Sequence, residues 1–200
     1  MRIISGSLKG KSIDFIKNSN TRPLKDSVKE NIFNILNHSH LIKAKIENSE
    51  ILDLYSGIGS FGVECISRGA KKVTFVEQNK NAASILENNL TDLSILKKAN
   101  IFTNKVENTL EKNKKNKFDI FFFDPPFADK SFIKNLYFIK NNTMYKKKHI
   151  LIIHRERKSK DNLEKITRTI KVKKYGRSKI ICANFNTIFN TALASLLRLN

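Results

Sequence analysis

The 200-residue sequence has little of what disulfide-bonded, zinc-binding or membrane-spanning proteins require. Its two cysteines, Cys65 and Cys182, are far apart and have no second Cys or His at ligand spacing. This excludes a disulfide framework and a C-x-x-C zinc site, and it predicts that both thiols lie in the core. The longest apolar runs, FFF and ILII, are far shorter than the roughly 20 residues of a membrane-spanning helix. The N-terminus MRIISGSLKGK lacks the apolar segment of a signal peptide, so we expect a cytoplasmic protein without a metal or a membrane partner.

Acidic residues are also scarce. Eighteen Asp and Glu stand against 38 Lys and Arg, which gives a net charge of +20. A charge of this size favours a polyanionic partner, either nucleic acid or an anionic membrane. Codon usage in an AT-rich genome would also produce a Lys excess in a chain that is rich in Asn, Ile and Phe. The charge therefore supports a nucleic-acid partner without establishing one.

The N-terminal 40 residues predict a small appendage. Segments 2–5 (RIIS) and 11–16 (KSIDFI) flank a glycine-containing loop and could pair as a β-hairpin. The stretch DSVKENIFNILN then has apolar residues at the spacing of an amphipathic helix. Asp26 or Ser27 would cap this helix, and Glu30 would complete an S-x-x-E capping box.

From residue 50 onward, short β-rich runs alternate with helical segments. The runs are ILDLY, KVTFVE, NIFTN, FDIFFF, HILIIH, TIKVKKY and KIICANF. Strands that alternate with helices predict an α/β fold with a mostly parallel, doubly wound sheet. The last two runs are joined by a tight turn at 175–178, which predicts antiparallel C-terminal strands. We therefore divide the chain into an appendage (1–40), a Rossmann-like domain (41–185) and a tail of unknown role (186–200).

The first predicted strand runs into a glycine-rich turn, LDLYSGIGSFG. Gly57, Gly59 and Gly62 match G-x-G-x-x-G, and Glu77 lies 77 − 57 = 20 residues after the first glycine, where a ribose-binding acid belongs. The literal interpretation is a dinucleotide site, and a purely structural turn is the alternative. Asp53 would repel a pyrophosphate at this position and attract a cationic cofactor. S-adenosylmethionine is such a cofactor, with an ammonium, a sulfonium and a ribose diol.

The fourth predicted strand ends in DPPF. In a doubly wound sheet this strand lies beside the first, so Asp124, Pro125, Pro126 and Phe127 should emerge next to the cofactor. Proline has no N–H, so the loop concentrates acceptors: the Asp124 carboxylate and the Pro125 carbonyl. Such acceptors suit an exocyclic amino group, and Phe127 offers a stacking face for a base. An acceptor role alone predicts that Asp124→Asn would be milder than Asp124→Ala. The alternative is an ordinary strand terminator.

With these motifs together, the sequence resembles a known family over residues 2–185. RIISGSLKGKSIDF, TRPLKDSVKENIFNIL, LDLYSGIGSFGVECISRGA, VEQN and DPPF are similar to the corresponding motifs of the bacterial 16S rRNA guanine-N2 methyltransferases of the RsmD type. The resemblance implies a Rossmann-like methyltransferase fold with a seven-stranded sheet. It also implies an S-adenosylmethionine-binding set: Asp53, Tyr55, Gly57, Gly59, Glu77, Gln78 and Asn104.

The resemblance further implies a catalytic loop and an RNA-binding segment. Asp124, Pro125, Pro126 and Phe127 would hold the guanine, and Arg22, Lys25 and Lys29 would contact RNA. One position departs from the family pattern. Relatives place an Asp or Asn against the adenine amino group, where the alignment puts Lys105. A slip of one residue gives Asn104, which we prefer, and binding by backbone groups alone is the alternative.

The function that we predict is methylation of the N2 amine of a guanine in 16S rRNA, free or in the small ribosomal subunit, by a monomeric enzyme. Rivals of the same class are adenine-N6 methylation of DNA or RNA and glutamine methylation of a protein, which usually uses Asn in place of Asp124. A basic RNA-binding module with an inactive site is a rival of another class. A nicotinamide-dependent dehydrogenase would need a motif such as Tyr-x-x-x-Lys, and Tyr137 and Tyr145 lack that lysine.

Overall fold

The computed structural model describes residues 1–15 and 24–186. Within these ranges the chain forms seven strands and five α-helices. The strands are β1 Glu50–Leu54, β2 Lys72–Glu77, β3 Ala99–Thr103, β4 Phe118–Phe123, β5 Tyr145–Glu156, β6 Thr167–Tyr175 and β7 Ser178–Phe185. The helices are α1 Asp26–His38, α2 Ser60–Ser67, α3 Lys80–Asp92, α4 Val106–Lys112 and α5 Phe132–Asn141. None of the helices in the described part of the chain is long and apolar enough to span a bilayer.

The strands form one sheet in the order β3-β2-β1-β4-β5-β7-β6. Strands β1 to β5 are parallel, and β7 is antiparallel to both β5 and β6. This confirms the predicted mostly parallel sheet with antiparallel C-terminal strands. The strand order reverses on either side of β1, and a crevice opens at the carboxyl ends of the strands at such a point. The β6–β7 turn lies at the same edge, because Glu156 at the end of β5 pairs with Ser178.

The core has one apolar layer on each face of the sheet. One layer packs α1, α2 and α3 against the sheet, and the other packs α4 and α5. Phe61 of α2 connects the first layer to the sheet, since its ring stacks on Phe33 at 5.3 Å and on Phe122 at 4.2 Å. Cys65 and Cys182 are both buried, as predicted.

The N-terminal segment folds back on itself with less regular pairing than a two-stranded hairpin. A single antiparallel bridge joins Arg2 and Ser12. The N–H groups of Ile4 and Ser5 donate to the buried Glu64 carboxylate at 2.8 and 3.0 Å. This segment is therefore anchored to α2 by a side chain, which replaces part of the strand pairing that the sequence indicated. The residue division at 40 stays a prediction.

The predicted capping box of α1 is wrong. The N-cap is Lys25, and no side chain caps the helix. The Lys25 carbonyl accepts the first backbone bonds, from Val28 and Lys29 at 2.9 Å each. Asp26 lies in the first turn, where an acidic side chain favours the helix dipole without a capping bond.

Candidate active site

A cavity of about 1230 Å³ opens at the carboxyl edge of the sheet. It is bounded by the glycine-rich turn, the end of β2, the DPPF loop, the start of α1 and the β6–β7 turn. The following predicted site residues line it together: Lys25, Asp53, Tyr55, Gly57, Glu77, Gln78, Asn104, Asp124, Pro125, Pro126 and Phe127. The cofactor motif and the DPPF loop therefore share one cavity, as the strand order requires.

Two predicted site residues are not part of this lining, and a third falls outside the residues that the structure describes. Gly59 shapes the turn from behind: its φ is +82°, and a Cβ there would lie 2.3 Å from Leu86 Cδ1. Lys29 is fully buried, so the prediction that it contacts RNA is wrong. Its ammonium donates to the Arg2 carbonyl at 2.8 Å and lies 3.6 Å from Glu64. Arg22 lies outside the described residues.

Two carboxylates hold the glycine-rich turn in shape. Asp53 at the end of β1 accepts the Gly62 N–H through Oδ2 at 3.0 Å. Glu77 at the end of β2 accepts the Gly57 N–H through Oε2 at 2.7 Å, and its Oε1 accepts the Asn79 N–H at 2.8 Å. Each Glu77 oxygen keeps a second lone pair, since a carboxylate has about four acceptor sites. The acid that the spacing assigned to a ribose thus also organises the turn.

The electrostatics of the cavity floor favour a cation. Burial raises the pKa of Asp53 well above its ordinary value of 3.8. The Gly62 N–H opposes this shift, whereas the negative charges of Asp124 and Glu77 add to it. An ionised Asp53 is therefore poorly compensated by the protein itself. A bound positive charge would relieve both the desolvation and the repulsion.

Four buried polar atoms point to a polar ligand. Asp53 Oδ1, Ser56 Oγ, His154 Nε2 and Tyr175 OH are the buried side-chain atoms without a hydrogen-bond partner in the described part of the chain. All four residues line the cavity. Buried polar groups are normally hydrogen-bonded, so a cluster of exceptions in one cavity indicates a site shaped for something that brings its own donors and acceptors.

The far end of the cavity holds the residues predicted to contact adenine. Asn104 and Lys105 both line it. The Asn104 Oδ1 accepts the Lys105 N–H at 2.8 Å and the Asn108 amide at 3.1 Å, so this oxygen also helps to begin α4. Which of the two residues contacts adenine stays a prediction.

Tyr55 accepts a bond from the buried Asn135 at 3.1 Å, and burial raises the pKa of Tyr55 to about 12.

The Asp124 carboxylate faces the cavity with one oxygen already engaged. His154, at the end of β5, lies with Nδ1 2.8 Å from Asp124 Oδ1. The side chains of His154 and Asp124 are 13% and 23% exposed, so the pair is only partly shielded from water. The Phe127 ring meets the His154 ring edge-on, with the centroids 5.8 Å apart at 75°. One imidazole therefore contacts the side chains of both Asp124 and Phe127.

A second β5 residue holds the backbone of the same loop. Arg155 is 1% exposed, and its two terminal nitrogens donate to the carbonyls of Pro126 and Phe127, each at 3.1 Å. It also pairs with Asp161 at 3.1 and 3.2 Å. Burial alone would raise the pKa of Asp161, but the bonds from Arg155 and Ser159 bring it below its ordinary value. The DPPF loop is thus fixed by a buried, paired guanidinium.

Sequence reasoning missed these supporting residues. The only local signal is HRE directly after the buried run ILII. Charged residues at the carboxyl end of a core strand lie at the ligand-binding edge of a doubly wound sheet. That signal alone would have marked His154 and Arg155 as candidates without giving their partners.

The fold and site define the class of protein: a Rossmann-like methyltransferase. A family model described as "Conserved hypothetical protein 95" matches residues 1–184. "Ribosomal RNA small subunit methyltransferase D" of Buchnera aphidicola is 34% identical over 156 residues, which cover 78% of each chain. "Putative rRNA methyltransferase YlbH" of Bacillus subtilis is 32% identical over 159 residues, 78% of this chain and 83% of the relative.

A solved structure supports the same fold. "Putative methyltransferase yhhF" from Escherichia coli superposes with a TM-score of 0.78 and 22% identity, covering 93% of this chain and 98% of its own. The family match and the sequence relatives together identify the particular group. The chain belongs to the RsmD-type methyltransferase family.

Proposed function

We propose that this protein transfers a methyl group from S-adenosylmethionine to the N2 amine of a guanine in 16S rRNA. The observation that carries the proposal is the shared cavity: the acidic glycine-rich turn and the DPPF acceptors face one space, which also contains the four unpartnered polar atoms. Relatives named for methylation of small-subunit ribosomal RNA support the substrate class.

The cofactor fits the cavity floor. Asp53 Oδ1 is buried without a partner and would accept from the ammonium of the cofactor, and the free lone pairs of Glu77 would accept from the ribose hydroxyls. S-adenosylmethionine supplies a methyl group on a positively charged sulfur. The carboxylates of Asp53, Glu77 and Asp124 create a negative potential that favours this cation and disfavours a pyrophosphate.

The DPPF loop would position the amine rather than remove its proton. An exocyclic amine donates two hydrogens, and the Asp124 carboxylate and the Pro125 carbonyl would accept them. Phe127 would stack on the base after it is flipped from any helix that it occupies. Positioning of this kind is sufficient because the amine becomes acidic only as its nitrogen gains the methyl group, and the proton that it then loses can pass to water. Arg155 and His154 make the acceptors rigid by holding the loop to β5.

The surface around the cavity suits an RNA backbone. Lys25 and Arg177 are exposed and line the cavity mouth. The edge strand β6 continues the positive charge with the exposed side chains of Lys171, Lys173 and Lys174. We propose that this basic rim, defined by these five residues, contacts phosphates. A different role for the β6 lysines is protection of an edge strand against pairing with other chains.

The test is nucleoside analysis after methyl transfer. The purified protein is incubated with methyl-labelled cofactor and with small subunits or 16S rRNA from cells that lack its gene, and the labelled RNA is digested. We expect N2-methylguanosine. Labelled N6-methyladenosine would replace the proposal with its same-class rival, and cofactor-independent RNA binding without transfer would favour an inactive module.

Asp124→Ala is the matched active-site control. It should lower turnover by about 10²–10³, as for loss of one preorganised hydrogen-bonding partner. Cofactor affinity should change far less, because Asp124 faces the base. Full turnover by this variant would place the chemistry elsewhere in the molecule.

A further inference from the structure

We propose that His154 is a positioning residue that fixes the hydrogen-bond polarity of position 124. By donating from Nδ1 to Asp124 Oδ1, it leaves Oδ2 to accept from the target amine, and it thereby makes the site require a carboxylate. This inference rests on the proposed methylation of an amine. It concerns the support of the acceptor, which neither the family motif nor the relatives' names describe.

The hydrogen that His154 and Asp124 share lies on the histidine. An ionised carboxylate only accepts, so the hydrogen of the 2.8 Å contact belongs to His154 Nδ1. In the neutral ring, Nε2 then carries a lone pair. Nε2 is buried and has no partner among the described residues, so no competing bond there favours the other tautomer.

The donor, His154, is held in place by its strand and by the residues around it. His154 lies in the antiparallel ladder of β5 with β7, opposite Ile180. Its neighbour Arg155 holds the Pro126 and Phe127 carbonyls. The imidazole also packs against the edge of Phe127. Because β4 and β5 pair at Phe123 and Ile153, Asp124 and His154 are the next residues of two adjacent strands.

A carboxamide at position 124 would be turned the wrong way for the target amine. In Asp124→Asn, the carbonyl oxygen of the new side chain would turn toward His154, because the Nδ1–H group donates and an amide oxygen accepts. Its NH₂ group would then face the target amine, and two donors would oppose each other. The structure therefore reverses the expectation from the sequence: Asp124→Asn should be nearly as inactive as Asp124→Ala, because the acceptor oxygen is used by His154.

Two variants separate positioning from general structural support. His154→Asn keeps a donor near the position of Nδ1, whereas His154→Leu removes it. In single-turnover assays at saturating cofactor, His154→Leu should lose roughly tenfold to a hundredfold in rate, the range for loss of an outer-shell partner. His154→Asn should recover most of that loss, and neither variant should change cofactor affinity. His40→Leu, an exposed histidine far from the cavity lining, is the control.

The decisive measurement is the coupling between the two positions. Asp124→Asn in the His154→Leu background should be more active than Asp124→Asn alone, because the carboxamide is then free to turn its oxygen to the amine. Asp124→Asn that keeps much more activity than Asp124→Ala in the parent background would overturn the proposal. So would equal losses in His154→Leu and His154→Asn.

A measurement that needs no activity keeps this inference separate from the proposed function. Long-range ¹H–¹⁵N correlation spectra of the protein report which ring nitrogen of His154 carries the hydrogen. We expect a hydrogen on Nδ1 in the parent protein, and a ring that carries its hydrogen on Nε2 alone would overturn the proposal. If the parent protein transferred no methyl group to any RNA, the proposed function would fail while the tautomer still answered the question of polarity.

Discussion

The two loops that meet in the cavity are built in opposite ways. The glycine-rich turn is held by carboxylates of β1 and β2: Asp53 and Glu77 accept backbone N–H groups of the turn. The DPPF loop is held by side chains from β5, about 30 residues further along the chain, through His154 and Arg155. Acidic side chains therefore accept backbone N–H groups in the glycine-rich turn, whereas a basic side chain donates to backbone carbonyls in the DPPF loop.

The two loops also differ in charge compensation. Asp53 is buried with one oxygen unpartnered, and the nearby Asp124 and Glu77 raise its pKa further. The buried charge beneath the DPPF loop is paired, Arg155 with Asp161. The difference indicates that the buried charge at the glycine-rich turn is compensated by a ligand, whereas the buried charge beneath the DPPF loop is already compensated within the protein. Four sets of variants test this contrast and the basic rim beside it.

The largest effect should come from breaking the paired charge. Arg155→Met leaves Asp161 and two loop carbonyls without their donor in a buried environment. Loss of one partner of a buried ion pair costs about 3–5 kcal/mol, so urea unfolding should show a decrease of that size in the free energy of unfolding. Arg155→Met combined with Asp161→Leu should be less damaging than Arg155→Met alone. An unchanged unfolding midpoint for the single variant would contradict a stabilising ion pair beneath the DPPF loop.

Removing the ribose acid should weaken ligand binding. Glu77→Ala removes the acceptor of the Gly57 N–H and of the proposed ribose hydroxyls. Cofactor binding measured by titration calorimetry should weaken by about 1–3 kcal/mol, on the scale for hydrogen bonds to a charged group. Glu87→Ala, an exposed acidic residue of α3 outside the cavity lining, is the control. Binding of NAD in preference to S-adenosylmethionine by the parent protein would refute the assignment of the turn.

A smaller, pH-dependent effect on stability should follow from Asp53, whose Oδ1 has no partner in the part of the chain that the structure describes. Burial raises the pKa of Asp53 in the folded state, so folding takes up a proton and stability falls as pH rises above the ordinary value of 3.8. Asp53→Asn keeps an acceptor for the Gly62 N–H but cannot ionise. Without cofactor it should be more stable than the parent at pH 7, and the difference should shrink as the pH is lowered toward 4. Thermal unfolding across this range measures it.

The cofactor reverses that advantage. S-adenosylmethionine should raise the unfolding temperature of the parent protein and should raise that of Asp53→Asn much less, because the variant lacks the negative charge. A cofactor-free variant that is less stable than the parent at pH 7 would show that Asp53 is compensated within the protein.

The smallest effect per residue should come from the basic rim. Replacing Lys171, Lys174 and Arg177 together by Gln should weaken RNA binding. The slope of log binding constant against log salt concentration should become shallower by about 0.7 per lost phosphate contact on single strands. The control carries Gln at Lys114, Lys115 and Lys117, which are exposed in the α4–β4 loop at the opposite edge of the sheet. Equal losses in the two variants would mean that the rim lysines reflect composition. Self-association of the rim variant alone would favour edge protection.

Local patterns predicted most of the fold and the two motifs that the structure brings together in the cavity. The glycine-rich turn and DPPF are contiguous, and the seven strands follow from apolar runs of ordinary strand length. The prediction that Lys29 contacts RNA is wrong because it relies on the charge of the side chain and ignores its position on the helix. Ile32, Phe33 and Leu36 lie three, four and seven residues after it, on the same buried helix face. Helical spacing could therefore have predicted its burial.

The partner of Asp124 could not be predicted in the same way. The pairing with His154 depends on the register of β4 against β5, in which Phe123 lies opposite Ile153. A shift of one residue would turn every side chain of β5 to the other face. Both runs, FDIFFF and HILIIH, are apolar on both faces, so their patterns do not specify a register. The role of Arg155 is hidden for the same reason.

The grip of Arg155 on the DPPF loop has an evolutionary consequence. The guanidinium holds carbonyl oxygens, and every amino acid presents the same carbonyl whatever its side chain. Replacement of Phe127 would therefore alter the ring on which we propose that a base stacks, without releasing the loop from β5. Point mutations there can explore new target bases on an unchanged support. Such an architecture lets a lineage of methyltransferases diversify its substrates one residue at a time.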